Sequence, residues 1–357
     1  MIKWYNNSKL LNMKDKNGNI PEIYIAISNR GAGKTYGFAK YILSQYLDND
    51  DYEVGIFTQC KQDLGNVAKG IFNAVLRDIY PDLKIKEVIE RNNSFSTIYL
   101  ETPTGEKDDK GNAIYKTNIF GYVLPLNSAP KLKEISSKFI DIKIMFFDEF
   151  QSPYIKSRDV DNFIDIHMTV ARGGETPARY VPVILSSNSL SINNPFFEAM
   201  GINTKIQSDT KFYKGDGFVL ERFINEDVAK AQKESGFNKA FKNNRKLLSN
   251  VDNAWLNDNY TNVCKPSTEW GRSFYICTLI NGSEKFGIRS YVNTYNWYIS
   301  RNIDKQCQNI YSLTSASEAT APLLNTSTLL TTLKSKYYKA NLKFSDLSLK
   351  ETMKNYL

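Results

Sequence analysis

The sequence has few residues of the kinds that build metal sites or disulfide frameworks. It contains one histidine, His167, and four cysteines, and no two cysteines form a CxxC pair. A structural zinc site needs a cluster of such ligands, so we expect none. The N-terminal residues lack the apolar core of a signal peptide, and no run reaches the roughly 18 apolar residues of a membrane span. We therefore expect no membrane span and a cytoplasmic protein with reduced thiols.

The composition indicates a folded chain that meets a polyanion. Hydrophobic residues make up 41% of the 357 residues and aromatic residues 13%, which is enough for a sizeable core and fits two domains. The formal net charge is +8 and the pI is about 9.0. Such a surplus suits contact with nucleic acid phosphates, although a merely basic soluble enzyme has the same balance.

The first 200 residues alternate between short apolar runs and helix-like segments. This alternation predicts an α/β domain with a mostly parallel sheet and helices on both faces. A hairpin with a turn-rich tip at residues 102–112 interrupts it. The apolar runs lie at residues 23–27, 54–58, 140–147 and 181–185.

The character of the chain changes after about residue 200. Residues 201–248 are polar and predict a linker with short helices. Residues 249–357 predict a smaller β-rich domain, because Asn281-Gly282 between two apolar runs is a hairpin signal. The tail from residue 327 has a helical and basic pattern.

A phosphate-binding loop follows the first apolar run and opens a helix. Gly31 and Gly33 free the backbone to direct several N–H groups at one point, where the next helix presents its positive end. Lys34 supplies a charge for the β- and γ-phosphates of ATP, and Thr35 supplies a hydroxyl for Mg²⁺. The alternative is a chance Gly-rich turn. The predicted loop consists of Ser28, Asn29, Arg30, Gly31, Ala32, Gly33, Lys34 and Thr35.

An acidic pair ends the apolar strand at residues 140–147. Asp148 is placed to orient the water shell of Mg²⁺, and Glu149 to polarise the attacking water. An acidic residue directly after the magnesium-orienting aspartate, as Glu149 follows Asp148, is typical of ATPases that do mechanical work. Asn188 follows another strand, where it either holds the lytic water or simply forms a turn.

Two arginines are candidates for a finger that acts on the nucleotide of a neighbouring subunit. Arg172 lies at a predicted helix end, where it would equally complement the helix dipole. Arg179, in a loop, is the rival candidate.

Several lysines are candidates for contacts with DNA phosphates or a neighbour's nucleotide, and each is equally compatible with a solvated surface. They include Lys61 and the loop lysines Lys131, Lys133 and Lys138. Further basic groups lie at helical spacing in the second half: Lys239, Lys242, Arg245 and Lys246, then Lys334, Lys336, Lys339 and Lys343.

Several short motifs in the same order resemble the DNA-packaging ATPases of phi29-like tailed phages. They are the P-loop with Arg30 before Gly31, Asp148-Glu149-Phe150, Thr169-Val170-Ala171-Arg172, Leu185-Ser186-Ser187-Asn188 and Asn194-Pro195-Phe196-Phe197. The likeness covers about residues 20–200 and fades beyond. It implies an additional-strand (ASCE-type) P-loop ATPase with bound ATP and Mg²⁺, and a ring motor, expected to be a pentamer.

The resemblance also implies partners and residue roles. Such a ring docks on the portal vertex of a preformed capsid in the host cytoplasm, pumps double-stranded DNA inward, and in some relatives binds a structural RNA. Arg172 would act in trans, as would Lys133 or, alternatively, Lys131. Lys61 matches a position near the DNA. The second half would resemble a vestigial RNase H-like nuclease.

Two features depart from the family pattern. Ser28 replaces the first P-loop glycine, and the second half of the chain matches too weakly for residue roles to be transferred. In the family that half resembles a nuclease that has lost its catalytic acids. The run at residues 273–280 likewise carries no acid, so we expect no nuclease activity. Two other functions remain open: a helicase or partition-type P-loop ATPase, and a capsid-binding structural protein in which ATP only sets the conformation.

Overall fold

The computed structural model describes residues 4–49, 51–90, 93–152, 154–172, 178–192, 194–202, 205–206, 210–241, 247, 251, 261–282, 284–314, 321–354 and 356–357. The chain divides into two compact units. The first comprises Met1–Leu190 and Asp209–Leu256, and the second Ser191–Ser208 and Asn257–Leu357.

The first unit is built on a nine-stranded sheet in the order β3-β4-β5-β2-β6-β7-β1-β9-β8. The six strands from β5 to β9 in this order run parallel, and β4 and β8 run antiparallel to their neighbours. The strands are β1 (Ile23–Ser28), β2 (Glu53–Thr58), β3 (Lys84–Ile89), β4 (Ser96–Lys107), β5 (Ala113–Pro125), β6 (Ile142–Asp148), β7 (Val183–Asn188), β8 (Phe212–Lys214) and β9 (Phe218–Phe223).

Helices cover both faces of this sheet because its central strands are apolar on both sides. On one face, Phe38 and Phe72 pack with Ile56 in a buried core. On the other face, the Phe57 ring contacts Phe163, with 4.8 Å between ring centroids. The helices of this unit are α1 (Ser8–Leu11), α2 (Lys34–Asp48), α3 (Val67–Ile79), α4 (Ala129–Glu134), α5 (Ser157–Ala171), α7 (Glu226–Glu234) and α8 (Gly236–Ala240). The predicted α/β fold with a mostly parallel sheet is confirmed.

The predicted boundary near residue 200 does not match the division of the chain. The supposed linker, residues 201–248, contains β8, β9 and α7 of the first unit. The reason is long-range pairing: β9 lies parallel beside β1, with Ile23 opposite Phe218, and this pairing buries Val219 and Leu220. Lys242, Arg245 and Lys246 lie outside the described residues.

The second unit contains a five-stranded sheet in the order β13-β10-β11-β12-β14. Three antiparallel strands with β13 parallel beside β10 give the strand order of an RNase H-like core, and β14 extends the opposite edge. The strands are β10 (Ser273–Asn281), β11 (Glu284–Tyr291), β12 (Trp297–Ser300), β13 (Ile310–Ser312) and β14 (Leu342–Phe344); the helices are α6 (Pro195–Ala199), α9 (Thr328–Tyr338) and α10 (Leu347–Lys354).

The sequence pattern predicted a helical C-terminal tail, but in the structure the tail is only partly helical. Strand β14 interrupts it, because Leu342 and Phe344 become fully buried when β14 pairs with β12. Helix α10 is also buried, and even Lys350 is only 2% exposed. Among the helices that the structure describes, none is long and apolar enough to cross a membrane.

Candidate nucleotide site

The predicted phosphate-binding loop joins the carboxyl end of β1 to the first turn of α2. Gly31 has φ 79° and Gly33 φ 96°, and these left-handed conformations are accessible to glycine without strain. Gly33 is the N-cap of α2, so the free N–H groups of the first turn face the end of the loop. The backbone alone therefore forms a site for phosphate groups.

Lys34 lies buried in this loop and is hydrogen-bonded within it. Its Nζ donates to Ser28 Oγ at 2.7 Å and to Asn188 Oδ1 at 3.3 Å. Burial lowers the pKa of Lys34 to about 8, although the charges of Glu149 and Asp148 partly oppose this. Ser28, which stands where the P-loop pattern has its first glycine, thus contacts the side chain of Lys34.

The acidic pair stands at the same edge of the sheet, at the end of β6. Asp148 accepts a hydrogen bond from Thr35 Oγ1 at 2.7 Å and another from Ser186 Oγ. The hydroxyl of Thr35 and the carboxylate of Asp148 are adjacent oxygen donors, the ligand type that Mg²⁺ prefers. This pair of side chains therefore fits a magnesium ion.

Glu149 directly follows Asp148 in the chain and adopts an uncommon backbone conformation. Its φ is 55°, which is rare for a residue with a side chain and is found at functional sites. Its carboxylate accepts a hydrogen bond from Asn188 Nδ2 at 3.1 Å. Desolvation, and then the charge of Asp148, raise the pKa of Glu149. A raised pKa suits a general base.

Asn188 connects the two halves of the site. Strands β6 and β7 are parallel neighbours, as expected, so their carboxyl ends meet. Through its amide, Asn188 contacts both Lys34 and Glu149. The sequence left open whether Asn188 holds the lytic water or forms a turn, and the structure places its side chain between Lys34 and Glu149.

Sequence reasoning missed the contacts that hold the P-loop in place. The side chain of Asn29 exchanges two hydrogen bonds with the backbone of Asn225, at 2.9 and 3.2 Å. Gln232 donates to the carbonyl of Arg30 at 3.1 Å, and the N–H of Tyr5 donates to the carbonyl of Ala32. These partners are up to 202 residues away, and no local pattern announced them.

Arg179 is hydrogen-bonded to backbone carbonyls at the end of α5 and so has a structural role. Its Nη2 donates to the carbonyl of Val170 at 2.7 Å, and its backbone N–H donates to the carbonyl of Ala171. It therefore satisfies carbonyls at the C-terminus of α5, which otherwise lack partners. This leaves Arg172 as the better placed of the two finger candidates.

Arg172 is exposed and lies far from the P-loop of its own chain. Arg172 follows Ala171, the last residue of α5, whose carbonyl accepts a hydrogen bond from the N–H of Arg179, shortly before β7 begins. Asn188, which borders the nucleotide site, lies at the opposite end of β7. The length of β7, roughly 16 Å, therefore separates Arg172 from the nucleotide site. An arginine side chain cannot span this distance.

The predicted lysines lie beyond the edge of the sheet that carries the P-loop. Lys61 follows β2 in a short 3-10 helix, and Lys131 and Lys133 lie on α4, which follows β5. Lys133 forms an ion pair with Asp165 of α5 at 2.8 Å, and both side chains are nearly half exposed. Such exposed pairs are weak, so Lys133 can exchange this partner at little cost.

Together, the loop, the acidic pair and the bridging asparagine have the arrangement that is typical of the P-loop nucleotide-binding class. The model of the podovirus DNA encapsidation protein (Gp16) family matches residues 78–356, and the chain belongs to this family. The match includes Asp148, Glu149, Arg172 and Asn188 but begins after the P-loop, which is assigned here from its geometry.

Two kinds of relatives agree with this membership. A DNA packaging protein of Bacillus phage B103 is 22% identical over 294 residues, covering 81% of this chain and 80% of that protein. Among solved structures, the bacteriophage Phi-29 viral genome packaging motor assembly matches with a TM-score of 0.60 at 18% identity, covering 99% and 98% of the two chains. The Phi-28 gp11 DNA packaging motor matches with a TM-score of 0.54 at 15% identity, covering 100% and 98%.

Proposed function

We propose that this chain is the ATP-hydrolysing subunit of a homomeric ring motor that moves double-stranded viral DNA into a preformed capsid. The observation that carries this proposal is the meeting of Lys34, Thr35, Asp148, Glu149 and Asn188 at one sheet edge. Family membership and the packaging proteins that the chain resembles supply the context.

The phosphates of ATP are held by the N–H groups of the P-loop and by Lys34. Thr35 and Asp148 would hold Mg²⁺, which neutralises developing charge on the phosphates when it is bound. Glu149 accepts a proton from the attacking water, and Asn188 positions that water and the carboxylate. Binding of the γ-phosphate draws Lys34 away from Ser28 and Asn188, which makes Asn188 available to water.

Arg172 completes the site of the adjacent subunit, because it cannot reach the site of its own chain. Its charge stabilises the negative charge that develops on the transferred phosphoryl group. Lys133 or Lys131 serves the same shared edge, and Lys61 lies near the DNA. The ring, a pentamer in this proposal, docks on the portal vertex. The second unit serves docking or contact with DNA or a structural RNA rather than nuclease chemistry.

The chemical step is tested by Glu149→Gln, with Glu106→Gln at the exposed hairpin tip as the matched control. The Glu149 variant should bind ATP but lose both hydrolysis and DNA uptake into capsids, because the base is removed while the phosphate contacts remain. Retained DNA uptake would instead identify a structural protein with a regulatory nucleotide. Unwinding of a DNA duplex without any stimulation by empty capsids would indicate a helicase.

The trans role is tested by mixing subunits. Rings of Arg172→Ala alone and of Lys34→Ala alone should be inactive, whereas mixed rings should recover ATPase activity. In mixed rings an intact P-loop stands beside an intact arginine. Arg77→Ala, which removes an exposed arginine from α3, is the control and should retain activity alone. If no mixing ratio restores turnover, Arg172 does not act across subunits.

A further inference from the structure

A buried glutamine lies beside the nucleotide site and has no role in the proposed chemistry. Gln151 follows the acidic pair at the end of β6, and only 5% of it is exposed. Its Oε1 accepts a hydrogen bond from the backbone N–H of Leu190 at 3.1 Å. Leu190 lies shortly after Asn188, the last residue of β7. The side chain of Gln151 therefore joins the two segments that leave the neighbouring strands β6 and β7.

This hydrogen bond is the outermost of a series that links the two segments. Closest to the strands, Ser186 Oγ donates to Asp148, and the carbonyl of Ser186 accepts from the N–H of Phe150 at 3.3 Å. Beyond them, Asn188 Nδ2 donates to the carboxylate of Glu149 at 3.1 Å. The glutamine contact comes last, on the far side of this pair. The contact between Glu149 and Asn188 is thus held from both sides.

The spacing along the chain makes the outer contact a restraint on both members of the pair. Gln151 lies two residues after Glu149, and Leu190 lies two residues after Asn188. Glu149 needs such a restraint, because its φ of 55° is uncommon for a residue with a side chain and persists only where the surrounding structure enforces it. Loss of the outer contact would free the backbone at Glu149, and with it the direction of the carboxylate.

Stability alone does not explain a glutamine at this position. The Nε2 atom of Gln151 is buried, and among the residues that the structure describes it has no hydrogen-bond partner. A buried N–H group without an acceptor costs the desolvation energy of that group. A half-satisfied buried amide is therefore no more favourable than an apolar side chain of similar length, such as methionine. What Gln151 supplies and methionine cannot is the acceptor for the N–H of Leu190.

We propose that Gln151 is a positioning residue for ATP hydrolysis, which holds Glu149 opposite Asn188 through its hydrogen bond to Leu190. This inference rests on the proposed function, because it takes Glu149 as the base that activates water. Without the glutamine contact the carboxylate loses its alignment with the attacking water. The phosphate contacts of Lys34 remain, because they belong to a different segment of the chain. A misplacement of about 1 Å in an active site can cost about 100-fold in rate.

The first test is Gln151→Met, which keeps the length of the side chain and removes the acceptor. The kcat for ATP hydrolysis by assembled rings should fall about 10–100-fold. The KM and the Kd for ATP should not change, and neither should the midpoint of urea denaturation, because the substitution also removes the unpaired buried N–H group. Gln308→Met, which replaces an exposed glutamine of the second unit, is the matched control and should leave all four quantities unchanged.

The second test asks whether Gln151 acts through the contact between Glu149 and Asn188. Asn188→Ala removes that contact, so there is no longer a pair for the glutamine to align. In the Asn188→Ala background, Gln151→Met should therefore lower kcat much less than it does in the wild-type chain. An equal loss in both backgrounds would show that Gln151 acts independently of Asn188 and would overturn the proposal.

The outcomes separate this inference from the proposed function. A Gln151→Met variant with the kcat of the wild-type chain would overturn the positioning role and leave the nucleotide site as described. A loss of kcat that comes with weaker ATP binding or a lower urea midpoint would identify Gln151 as a residue that only supports the fold, which also overturns the proposal. Undiminished hydrolysis by Glu149→Gln would overturn the proposed function and this inference with it.

Discussion

Lys34 should make nucleotide binding depend on pH near pH 8, well below the range in which lysine side chains usually titrate. Its pKa in the free protein is about 8 because the side chain is buried, compared with an ordinary value of 10.5. Only the charged form attracts phosphate, and bound phosphate in turn favours that form. Binding is therefore fully supported below about pH 8 and is lost as the pH rises through this value.

The magnitude follows from the titration of one group. With a pKa of about 8, roughly nine-tenths of Lys34 is charged at about pH 7 and roughly one-tenth at about pH 9. The affinity for a fluorescent ADP analogue should therefore fall roughly tenfold across this range. Equilibrium fluorescence titration at constant ionic strength, at half-unit steps of pH, measures the decline directly.

Two variants separate Lys34 from other titrating groups. Lys34→Arg keeps a charge that does not titrate in this range, so its affinity, although weaker, should not decline with pH. Asn188→Asp places a carboxylate oxygen near Nζ, which lies 3.3 Å from the native amide, and should move the decline to higher pH. A wild-type affinity that stays constant through pH 9, or a decline shared by Lys34→Arg, would refute the reasoning.

Three stability predictions follow from other buried contacts. Burial raises the pKa of Glu53 to about 7, from 4.5 in the unfolded chain, so the folded state holds this proton more tightly and loses stability as the pH rises from about 4.5 to 7. Glu53→Gln should consequently raise the free energy of unfolding by about 1–3 kcal/mol at pH 8 and by much less near pH 5, measured by urea denaturation; equal gains at both would contradict this. Asn29→Ala removes two hydrogen bonds to Asn225 and should cost about 1–3 kcal/mol and weaken ADP binding; an unchanged melting temperature and ADP affinity would count against a clamp. Gly121→Ala would place a Cβ atom 2.0 Å from the carbonyl oxygen of Val54, so a loss of at least about 3 kcal/mol or no soluble protein is expected, and near-native stability would exclude this packing.

The predicted site residues that the structure brings together are mostly those encoded locally in the sequence. Gly31, Gly33, Lys34 and Thr35 are adjacent in the chain, and the strand before them is a continuous apolar run. The acidic pair is likewise read directly from the end of β6. The hairpin at Asn281-Gly282 was predicted from this turn signal and the apolar runs on either side of it, and the structure confirms it.

The remainder depends on contacts between distant segments. Strand β8 has three residues and forms only because it pairs with β9, and β14 likewise forms by pairing with β12. The role of Arg179 was equally hidden, since only the folded chain brings its guanidinium to the carbonyl of Val170. Short strands in polar surroundings carry too weak a pattern for sequence reasoning to detect.

The route of the chain between its two units limits how this protein can be divided or recombined. The polypeptide leaves the ATPase sheet just after β7, contributes Ser191–Ser208 to the other unit, returns to form β8 and β9, and departs again after Leu256. A single cut between Asn29 and β9 would place β1 and its neighbour β9, and likewise Asn29 and Asn225, on different fragments. Exchange of the smaller unit between homologous proteins would therefore require three matched junctions in the chain.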